Sequence, residues 1–183
     1  MSPASGSASQ EDRDRVRALV RDVPDFPRAG ITFKDITPLL ADPAGLRSAV
    51  TALADSAPEV GVDLVAGVEA RGFIVGTPLA LALGAGFLPV RKAGRLPGAV
   101  VRESYALEYG EAVIEVHADA VRPGQRVLVV DDVLATGGTA RAACALLERL
   151  GAQVVGVRFL LELAGLDGRA ALTGRDVAAV LEA

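Results

Sequence analysis

Apolar residues recur along this chain at two different spacings. Short apolar runs at 62–68, 86–90, 112–117, 127–130 and 154–161 predict strands, the last of these being the final strand, and apolar positions at helical spacing predict helices at 73–83 and 138–150. Another helix is expected from a capping pair, Ser9 and Asp12, to about Arg21. A further helix is expected from about Pro43 to Ala57. Strands that alternate with helices predict an α/β fold with a central, mostly parallel sheet flanked by helices.

Two segments do not follow this alternation. Residues 24–40, PDFPRAGITFKDITPLL, are punctuated by proline and glycine and hold more aromatic and charged residues than a simple linker. Residues 91–110, RKAGRLPGAVVRESYALEYG, are charged and contain glycines, and we expect them to be irregular. Residues 1–8 are rich in serine and alanine and are expected to form a disordered tail before a single domain at 9–183.

Composition narrows the class of protein. A chain of 183 residues with 51% hydrophobic and 23% charged residues is typical of one soluble globular domain. The net charge of −4 argues against nucleic acid as the main partner. One cysteine excludes an internal disulfide and one histidine disfavours a histidine-based metal site; Cys144 is expected to be buried in a helix. With neither a signal peptide nor a clear membrane span, we expect a cytoplasmic protein with no membrane partner.

Residues 127–140, VLVVDDVLATGGTA, carry the strongest chemical signal. A strand buried on both faces delivers Asp131 and Asp132 to the edge of the sheet, and a small-residue turn, Ala135–Thr139, then opens a helix. Glycines, threonine hydroxyls and free N–H groups at a helix N-terminus suit an anion, whereas carboxylates suit hydroxyl groups. A ribose 5-phosphate offers both chemistries. The alternative is an ordinary capped turn with solvated aspartates.

Other phosphate-binding motifs fit this chain poorly. No Lys-Ser or Lys-Thr pair follows the glycines at 137–138, so the turn is not a P-loop. Gly84-Ala85-Gly86 lacks a third glycine and precedes a strand, so it is not a dinucleotide fingerprint.

VLVVDDVLATGGTA resembles the motif with which type I phosphoribosyltransferases bind phosphoribosyl pyrophosphate (PRPP). DFPRAGITFKDITPLL, GVEARGF, LPVRKAGRLPG and SYALEYG occur in this order, and together they resemble the adenine-using branch of that family over residues 23–170. The resemblance implies a type I phosphoribosyltransferase fold with an N-terminal hood, mainly 22–40, and a flexible lid loop at about 92–111.

The resemblance also implies roles for individual residues. Asp131 and Asp132 would bind the ribose hydroxyls, and Ala135, Thr136, Gly137, Gly138 and Thr139 would bind the 5′-phosphate. Pyrophosphate would contact Glu69, Ala70, Arg71, Arg91, Lys92 and Arg95, with a cis peptide expected between Glu69 and Ala70. Without the resemblance, Arg71 would be interpreted as a surface guanidinium paired with Glu69, and the cations at 91–95 as a solvated face.

The remaining implied roles concern the base. Glu108 would transfer the proton of the purine, with Arg71 as the second catalytic residue; Tyr105 and Tyr109 would shape the lid. Phe33 would stack on adenine while backbone groups around Thr32 and Lys34 read the base edge, although Phe33 could instead be a core residue. Many relatives have arginine where Lys34 stands, and lysine lacks the planar fork needed for bidentate binding.

The implied reaction converts adenine and PRPP into AMP and pyrophosphate in purine salvage. Mg²⁺ would be bound mainly through PRPP and water rather than by a dedicated protein site, and the chain would form a homodimer. Two alternatives remain: transfer to another purine (xanthine, guanine or hypoxanthine), and a non-catalytic PRPP-binding regulator. The regulator is disfavoured because the chain has neither an additional DNA-binding domain nor a basic surface.

Overall fold

The computed structural model describes residues 8–106 and 111–183. Five α-helices, nine strands and one 3₁₀ helix are found in these residues. In chain order they are α1 (Gln10–Leu19), β1 (Arg21–Val23), β2 (Phe33–Asp35), α2 (Thr37–Ala41), α3 (Pro43–Asp55), β3 (Leu64–Val68), α4 (Arg71–Leu83), β4 (Gly86–Lys92), β5 (Val100–Ala106), β6 (Glu111–His117), β7 (Arg126–Leu134), α5 (Gly138–Arg149), β8 (Gln153–Glu162), the 3₁₀ helix (Gly168–Leu172) and β9 (Val177–Glu182). Most of the predicted disordered tail, residues 1–7, lies outside the described residues.

Seven of the strands form one sheet in the order β5-β6-β4-β3-β7-β8-β9. The five strands β4, β3, β7, β8 and β9 run parallel to one another in this order. At the β4 edge, β6 and then β5 are added antiparallel. The prediction of an α/β fold with a mostly parallel sheet is therefore confirmed. Strands β1 and β2 pair antiparallel in a separate two-stranded sheet.

Helices cover both faces of the main sheet, and alternate residues of one strand serve opposite faces. On β7, Val127 and Val129 pack in the cluster that includes α5, whereas Leu128 and Val130 pack in the cluster that includes α3 and α4. Burying one such side chain contributes roughly 1.5–3 kcal/mol, so both layers hold β7 firmly in place. The short apolar run of β7 is thereby fixed beside β3 at the middle of the sheet.

The first helix begins as predicted but ends earlier. Ser9 and Asp12 form the expected capping box at the start of α1. The helix ends at Leu19 rather than near Arg21, because Arg21–Val23 pairs with Phe33–Asp35 as a strand. The irregular segment predicted at 24–40 therefore contains a short strand, and it also contains α2.

The prediction that residues 91–110 are irregular was wrong for 100–106. Strand β5 pairs along its whole length with β6, from Val100 opposite His117 to Ala106 opposite Glu111. Val101 and Tyr105 pack against the core, while Arg102 and Glu103 pair with Glu115 and Arg149. Because a neighbouring strand supplies the hydrogen bonds, this charged segment is ordered by tertiary pairing rather than by its own pattern.

Strand β8 is not the last strand. Val177–Glu182 forms β9, which pairs parallel with β8 at the edge of the sheet. Cys144 is buried in α5, as predicted. None of the helices in the described part of the chain is both long and apolar enough to cross a membrane.

Candidate active site

A cleft of about 600 Å³ opens at the carboxyl ends of the parallel strands β3 and β7. Ligands of open α/β sheets bind at this edge, because the loops and helix N-termini converge there. Three regions line the cleft together. They are the hairpin formed by β1 and β2, here called the β2 hairpin, the turn after β3, and strand β7. The lining residues are Ile31, Thr32, Phe33, Lys34, Val68, Glu69, Ala70, Arg71, Lys92, Tyr105, Asp131, Asp132, Val133, Ala135, Thr139 and Leu163.

Asp131 and Asp132 stand near the carboxyl end of β7, inside the strand. Asp131 Oδ1 accepts a hydrogen bond of 2.9 Å from the backbone N–H of Asp132. The Asp132 side chain is only 6% exposed, and its Oδ2 lies 2.5 Å from Arg71 Nε. The contact is an ion pair, and Oδ2 has no hydrogen-bond partner within the residues described. Both aspartates line the cleft, and Arg71 is the cation next to Asp132.

The charge state of Asp131 reflects its crowded position. Burial raises the pKa of Asp131 well above its ordinary value, and the negative charge of Asp132 raises it further. The Asp132 N–H and the Arg71 guanidinium oppose this shift but do not cancel it. These adjacent positions therefore accommodate two negative charges poorly.

The turn that follows β7 encloses a second, smaller hollow of about 70 Å³. All five residues from Ala135 to Thr139 line it, and it shares Asp131 and Thr139 with the main cleft. Helix α5 begins at Gly138, and its N-cap residue Gly137 has a φ of 77° and no side chain to satisfy the first N–H groups. An uncapped helix N-terminus beside threonine hydroxyls suits a phosphate-sized anion.

Close packing holds this turn in place. A Cβ atom at Gly137 would collide with the carbonyl oxygen of Gly168, the first residue of the 3₁₀ helix. A Cβ atom at Gly168 would collide in turn with the carbonyl oxygen of Ala135. The backbones of the turn and the 3₁₀ helix therefore approach each other more closely than any side chain would allow.

The turn after β3 brings Arg71 to the aspartates. The peptide between Glu69 and Ala70 is cis, as expected, and α4 begins directly at Arg71. The Arg71 guanidinium lies 5.3 Å from the centre of the Phe33 ring as well as beside Asp132. The interpretation of Arg71 as a surface group paired with Glu69 is wrong, because Glu69 binds Arg91 instead.

The cations at the end of β4 have different surroundings. Lys92 lines the cleft, whereas Arg91 and Arg95 are not among its lining residues in the described part of the chain. Arg91 Nε lies 3.2 Å from Glu69 Oε2, which also accepts the Lys92 N–H at 3.0 Å. The hydrogen bond from Arg91 and then that from Lys92 lower the pKa of Glu69. Glu69 therefore holds this cationic segment from within the cleft.

The β2 hairpin forms the opposite wall. Phe33 lines the cleft and is half-buried, so it is not a core residue, and Phe26 packs edge-on against it with ring centres 5.3 Å apart. Thr32 and Lys34 line the cleft beside it. Lys34 Nζ lies 2.8 Å from Asp22 of β1, so its charge is bound within the hairpin.

Some lining residues had no signal in the sequence. Leu163 follows β8, and its N–H donates to the Leu134 carbonyl at 2.9 Å, which brings an apolar side chain into the cleft. Ile31, Val68 and Val133 are similar cases, and only the tertiary structure shows that they share a site. Glu108 and Tyr109 lie outside the described residues.

Comparison with known proteins agrees with this geometry. A family model, the phosphoribosyl transferase domain, matches residues 39–173. An adenine phosphoribosyltransferase of Cutibacterium acnes is 59% identical over 157 residues, covering 86% of this chain and 88% of that protein. One from a Nocardioides species is 62% identical over 159 residues, covering 85% of this chain and 86% of that protein.

Solved structures agree as well. The adenine phosphoribosyltransferase of Rhodothermus marinus has a TM-score of 0.90 at 50% identity, covering 96% of this chain and all (100%) of that chain. The Saccharomyces cerevisiae enzyme, complexed with an imino-altritol bisphosphate and adenine, has a TM-score of 0.89 at 38% identity, covering 94% and 100%. This chain belongs to the phosphoribosyltransferase family, within which these relatives are adenine phosphoribosyltransferases.

Proposed function

We propose that this protein is an enzyme of purine salvage that transfers the 5-phosphoribosyl group of PRPP to adenine, forming AMP and pyrophosphate. The observation that carries the proposal is one cleft in which paired carboxylates, a phosphate-sized hollow and an aromatic ring lie together. A phosphate, a diol and a flat base are the three parts of a nucleoside monophosphate. The names of the relatives point to the same substrates.

The sugar phosphate fits the β7 side of the cleft. Asp131 and Asp132 line this part of the cleft and would accept hydrogen bonds from the 2′- and 3′-hydroxyls of the ribose. Ala135, Thr136, Gly137, Gly138 and Thr139 would hold the 5′-phosphate by N–H and hydroxyl donors. A sugar phosphate would therefore have partners at both of its ends on this side of the cleft.

The leaving group fits the turn after β3 and the cations after β4. In the reaction the bond between C1′ and the pyrophosphate oxygen breaks, the electron pair leaves with pyrophosphate, and positive charge develops on the ribose. Arg71 and Lys92 line the cleft where pyrophosphate would lie, with Glu69 and Ala70 in the same turn. Arg91 and Arg95 would add positive charge from just outside it. Positive groups at the phosphates and carboxylates at the sugar stabilise this distribution of charge.

The base would lie against the β2 hairpin. Phe33 offers a ring for stacking, and backbone groups of Thr32 and Lys34 are placed to read the base edge. Leu163 and Ile31 add apolar surface for a flat heterocycle. Because Lys34 is paired with Asp22, we assign it no bidentate contact with the base.

Proton transfer and closure complete the proposal. Adenine loses its N9 proton when N9 bonds to C1′, and we assign that proton to the carboxylate of Glu108, with Arg71 as the other catalytic residue. The hood at 22–40 and the lid at 92–111 of a single domain at 9–183 would exclude water, which would otherwise hydrolyse PRPP. A cytoplasmic homodimer is part of the same proposal.

The residues fit Mg²⁺ bound together with PRPP. Among the described residues, no three or more histidine, cysteine, aspartate or glutamate side chains cluster in a way that could hold a metal ion. Asp131 and Asp132 nevertheless both line the cleft. A hard cation that keeps its waters and the phosphate oxygens suits a site with one or two carboxylates. When bound, Mg²⁺ would neutralise charge on the pyrophosphate.

The test is purine-dependent release of pyrophosphate from PRPP, measured separately with adenine, hypoxanthine, guanine and xanthine. We expect adenine to support turnover with Mg²⁺ present, and the other bases to support little. The Asp131→Asn/Asp132→Asn double variant should lose activity while remaining folded. Formation of IMP without AMP would show that the base is assigned wrongly. PRPP binding without release of pyrophosphate would favour a regulator.

A further inference from the structure

Glu115 is a buried carboxylate that the proposed reaction does not use. It lies on β6 opposite Arg91 of β4 and opposite Arg102 of β5, at the centre of the antiparallel edge of the sheet. Its side chain has 0% exposure to solvent. A buried charge of this kind is costly unless it is fully hydrogen-bonded, so its partners indicate what it holds.

Three of its partners come from two segments. Oε1 accepts the backbone N–H groups of Arg95 at 2.8 Å and Leu96 at 2.9 Å, and Oε2 accepts Arg102 Nε at 3.0 Å. Burial alone would raise the pKa of Glu115, but the Leu96 and Gly94 N–H groups and the Arg102 guanidinium outweigh it and hold the pKa at about 2. Glu115 is therefore ionised at neutral pH and binds residues 93–99, the loop between β4 and β5.

This loop continues directly from the cleft. It begins after Lys92, which lines the cleft, and it carries Arg95. Arg91 Nη1 lies 3.5 Å from the Arg95 carbonyl, and the positive charge of Arg95 contributes to lowering the pKa of Glu69. Two carboxylates thus hold the cationic segment, Glu69 at its start and Glu115 at the loop.

We propose that Glu115 is a positioning residue for the pyrophosphate end of PRPP, because it fixes the 93–99 loop and with it Lys92 and Arg95. The inference rests on the proposed function. Successive backbone N–H groups in a turn form a natural anion site, and here Glu115 occupies those of Arg95 and Leu96. Glu115 thus takes the place of a bound anion at these N–H groups, and the loop would contribute to PRPP binding through its cationic side chains.

The first test compares Glu115→Gln with Glu103→Gln. Glu103 is a matched control because it lies on β5 of the same hairpin and also pairs with an arginine, Arg149, at 2.6 Å. We expect Glu115→Gln to raise the KM for PRPP about tenfold, since displacement of a positioned group by about 1 Å has effects of this size or larger. The KM for adenine should change less than about twofold, and Glu103→Gln should leave both constants unchanged.

A double-mutant cycle with Arg95→Gln tests whether Glu115 acts through the loop. If it does, Glu115→Gln should add little to the rise in KM for PRPP that Arg95→Gln already causes. Additive effects of the two substitutions would overturn the inference, as would an unchanged KM for PRPP in a Glu115→Gln protein with a lowered Tm. An Arg95→Gln variant with the KM of the wild type would overturn it as well.

Glu115→Asp keeps the test decisive if Glu115→Gln does not fold. Aspartate keeps the charge but withdraws the oxygens from the loop by one methylene, so the KM for PRPP should still rise. A KM for PRPP in Glu115→Asp equal to that of the wild type would count against positioning. Each outcome requires an active wild-type enzyme, so failure of the proposed function is recognised separately, as absence of adenine-dependent pyrophosphate release from the unmodified protein.

Discussion

Carboxylates on the β7 side of the cleft and carboxylates on the β4–β6 side have opposite surroundings. Asp131 and Asp132 repel each other, and Asp132 Oδ2 lacks a hydrogen-bond partner among the residues described. Glu69 and Glu115 each accept hydrogen bonds from an arginine and from backbone N–H groups, which lower their pKa values, whereas Asp132 meets Arg71 in an ion pair only. The first pair is arranged for a ligand at a cost in stability, whereas the second stabilises the folded protein and its cationic loop.

The largest expected effect is a loss of catalytic efficiency on substitution of an aspartate of β7. Asp131→Asn keeps an oxygen that accepts the Asp132 N–H but removes the charge that would bind a ribose hydroxyl. Loss of a charge-assisted hydrogen bond of about 3 kcal/mol should lower kcat/KM for PRPP by about a hundredfold. Steady-state assays with PRPP varied at saturating adenine would measure this. A change smaller than threefold would remove Asp131 from the sugar site.

Substitution of Glu115, on the β4–β6 side, should change the stability of the protein. Glu115→Gln should destabilise the protein by about 2 kcal/mol at pH 7, since a buried hydrogen bond to a charged group contributes about this amount. The folded pKa of about 2 is below the ordinary value of 4.5. The stabilisation by Glu115 is therefore complete above about pH 4.5 and is lost as the pH falls toward 2.

Urea unfolding of wild type and Glu115→Gln at several pH values would check this sign. We expect the difference in unfolding free energy to shrink as the pH falls from 7 to 3.5. A difference that grows on acidification would show that Glu115 is not held ionised by its neighbours. Glu103→Gln is again the control, because Glu103 is partly exposed.

Alanine substitution of a glycine should also have different effects on the two sides of the cleft. Gly137 and Gly98 have nearly the same φ, 77° and 78°, but a Cβ would collide with Gly168 at Gly137 and would meet nothing within 4 Å at Gly98. Both alanine substitutions incur the left-handed backbone cost of about 1–2 kcal/mol. Gly137→Ala should in addition displace the phosphate turn and raise the KM for PRPP by more than Gly98→Ala does. Equal KM values for the two variants would contradict close packing behind the turn.

The smallest expected effect is a gain in stability on substitution, whereas most substitutions destabilise a protein. Burial and the charge of Asp132 raise the folded pKa of Asp131 above its ordinary 3.8. Below that pH the group is neutral in both states, and as the pH rises the folded state resists ionisation, so wild-type stability falls. Asp131→Asn should therefore stabilise the ligand-free protein near pH 8, with a gain of about 1 kcal/mol corresponding to about 2–4 °C in Tm.

Thermal unfolding without PRPP or Mg²⁺, at pH 4 and pH 8, would check this prediction. The gain should be present at pH 8 and small at pH 4. A Tm below that of the wild type at pH 8 would contradict mutual repulsion between Asp131 and Asp132. A gain in stability together with a loss of activity would show that Asp131 serves function at a cost in stability.

Much of the fold and part of the site were predictable from local pattern. The motif VLVVDDVLATGGTA supplies a strand, two carboxylates and the anion turn within 14 consecutive residues, so one element and one turn place all of them. Strand β5 was missed because its order depends on pairing with β6, which its charged sequence does not announce. Strand β9 was missed because it lies at the edge of the sheet, where its order depends on parallel pairing with β8.

The sequence by itself determined the chemistry of the β7 side, since consecutive residues of one strand and one helix N-terminus must remain neighbours after folding. Only the tertiary structure decided which arginine pairs with which carboxylate: Arg71 with Asp132, Arg91 with Glu69, and Arg102 with Glu115. It likewise decided that Leu163 lines the cleft, although nothing in the sequence around Leu163 indicates this. These contacts join segments far apart in the chain, and the order of strands in the sheet brings them together.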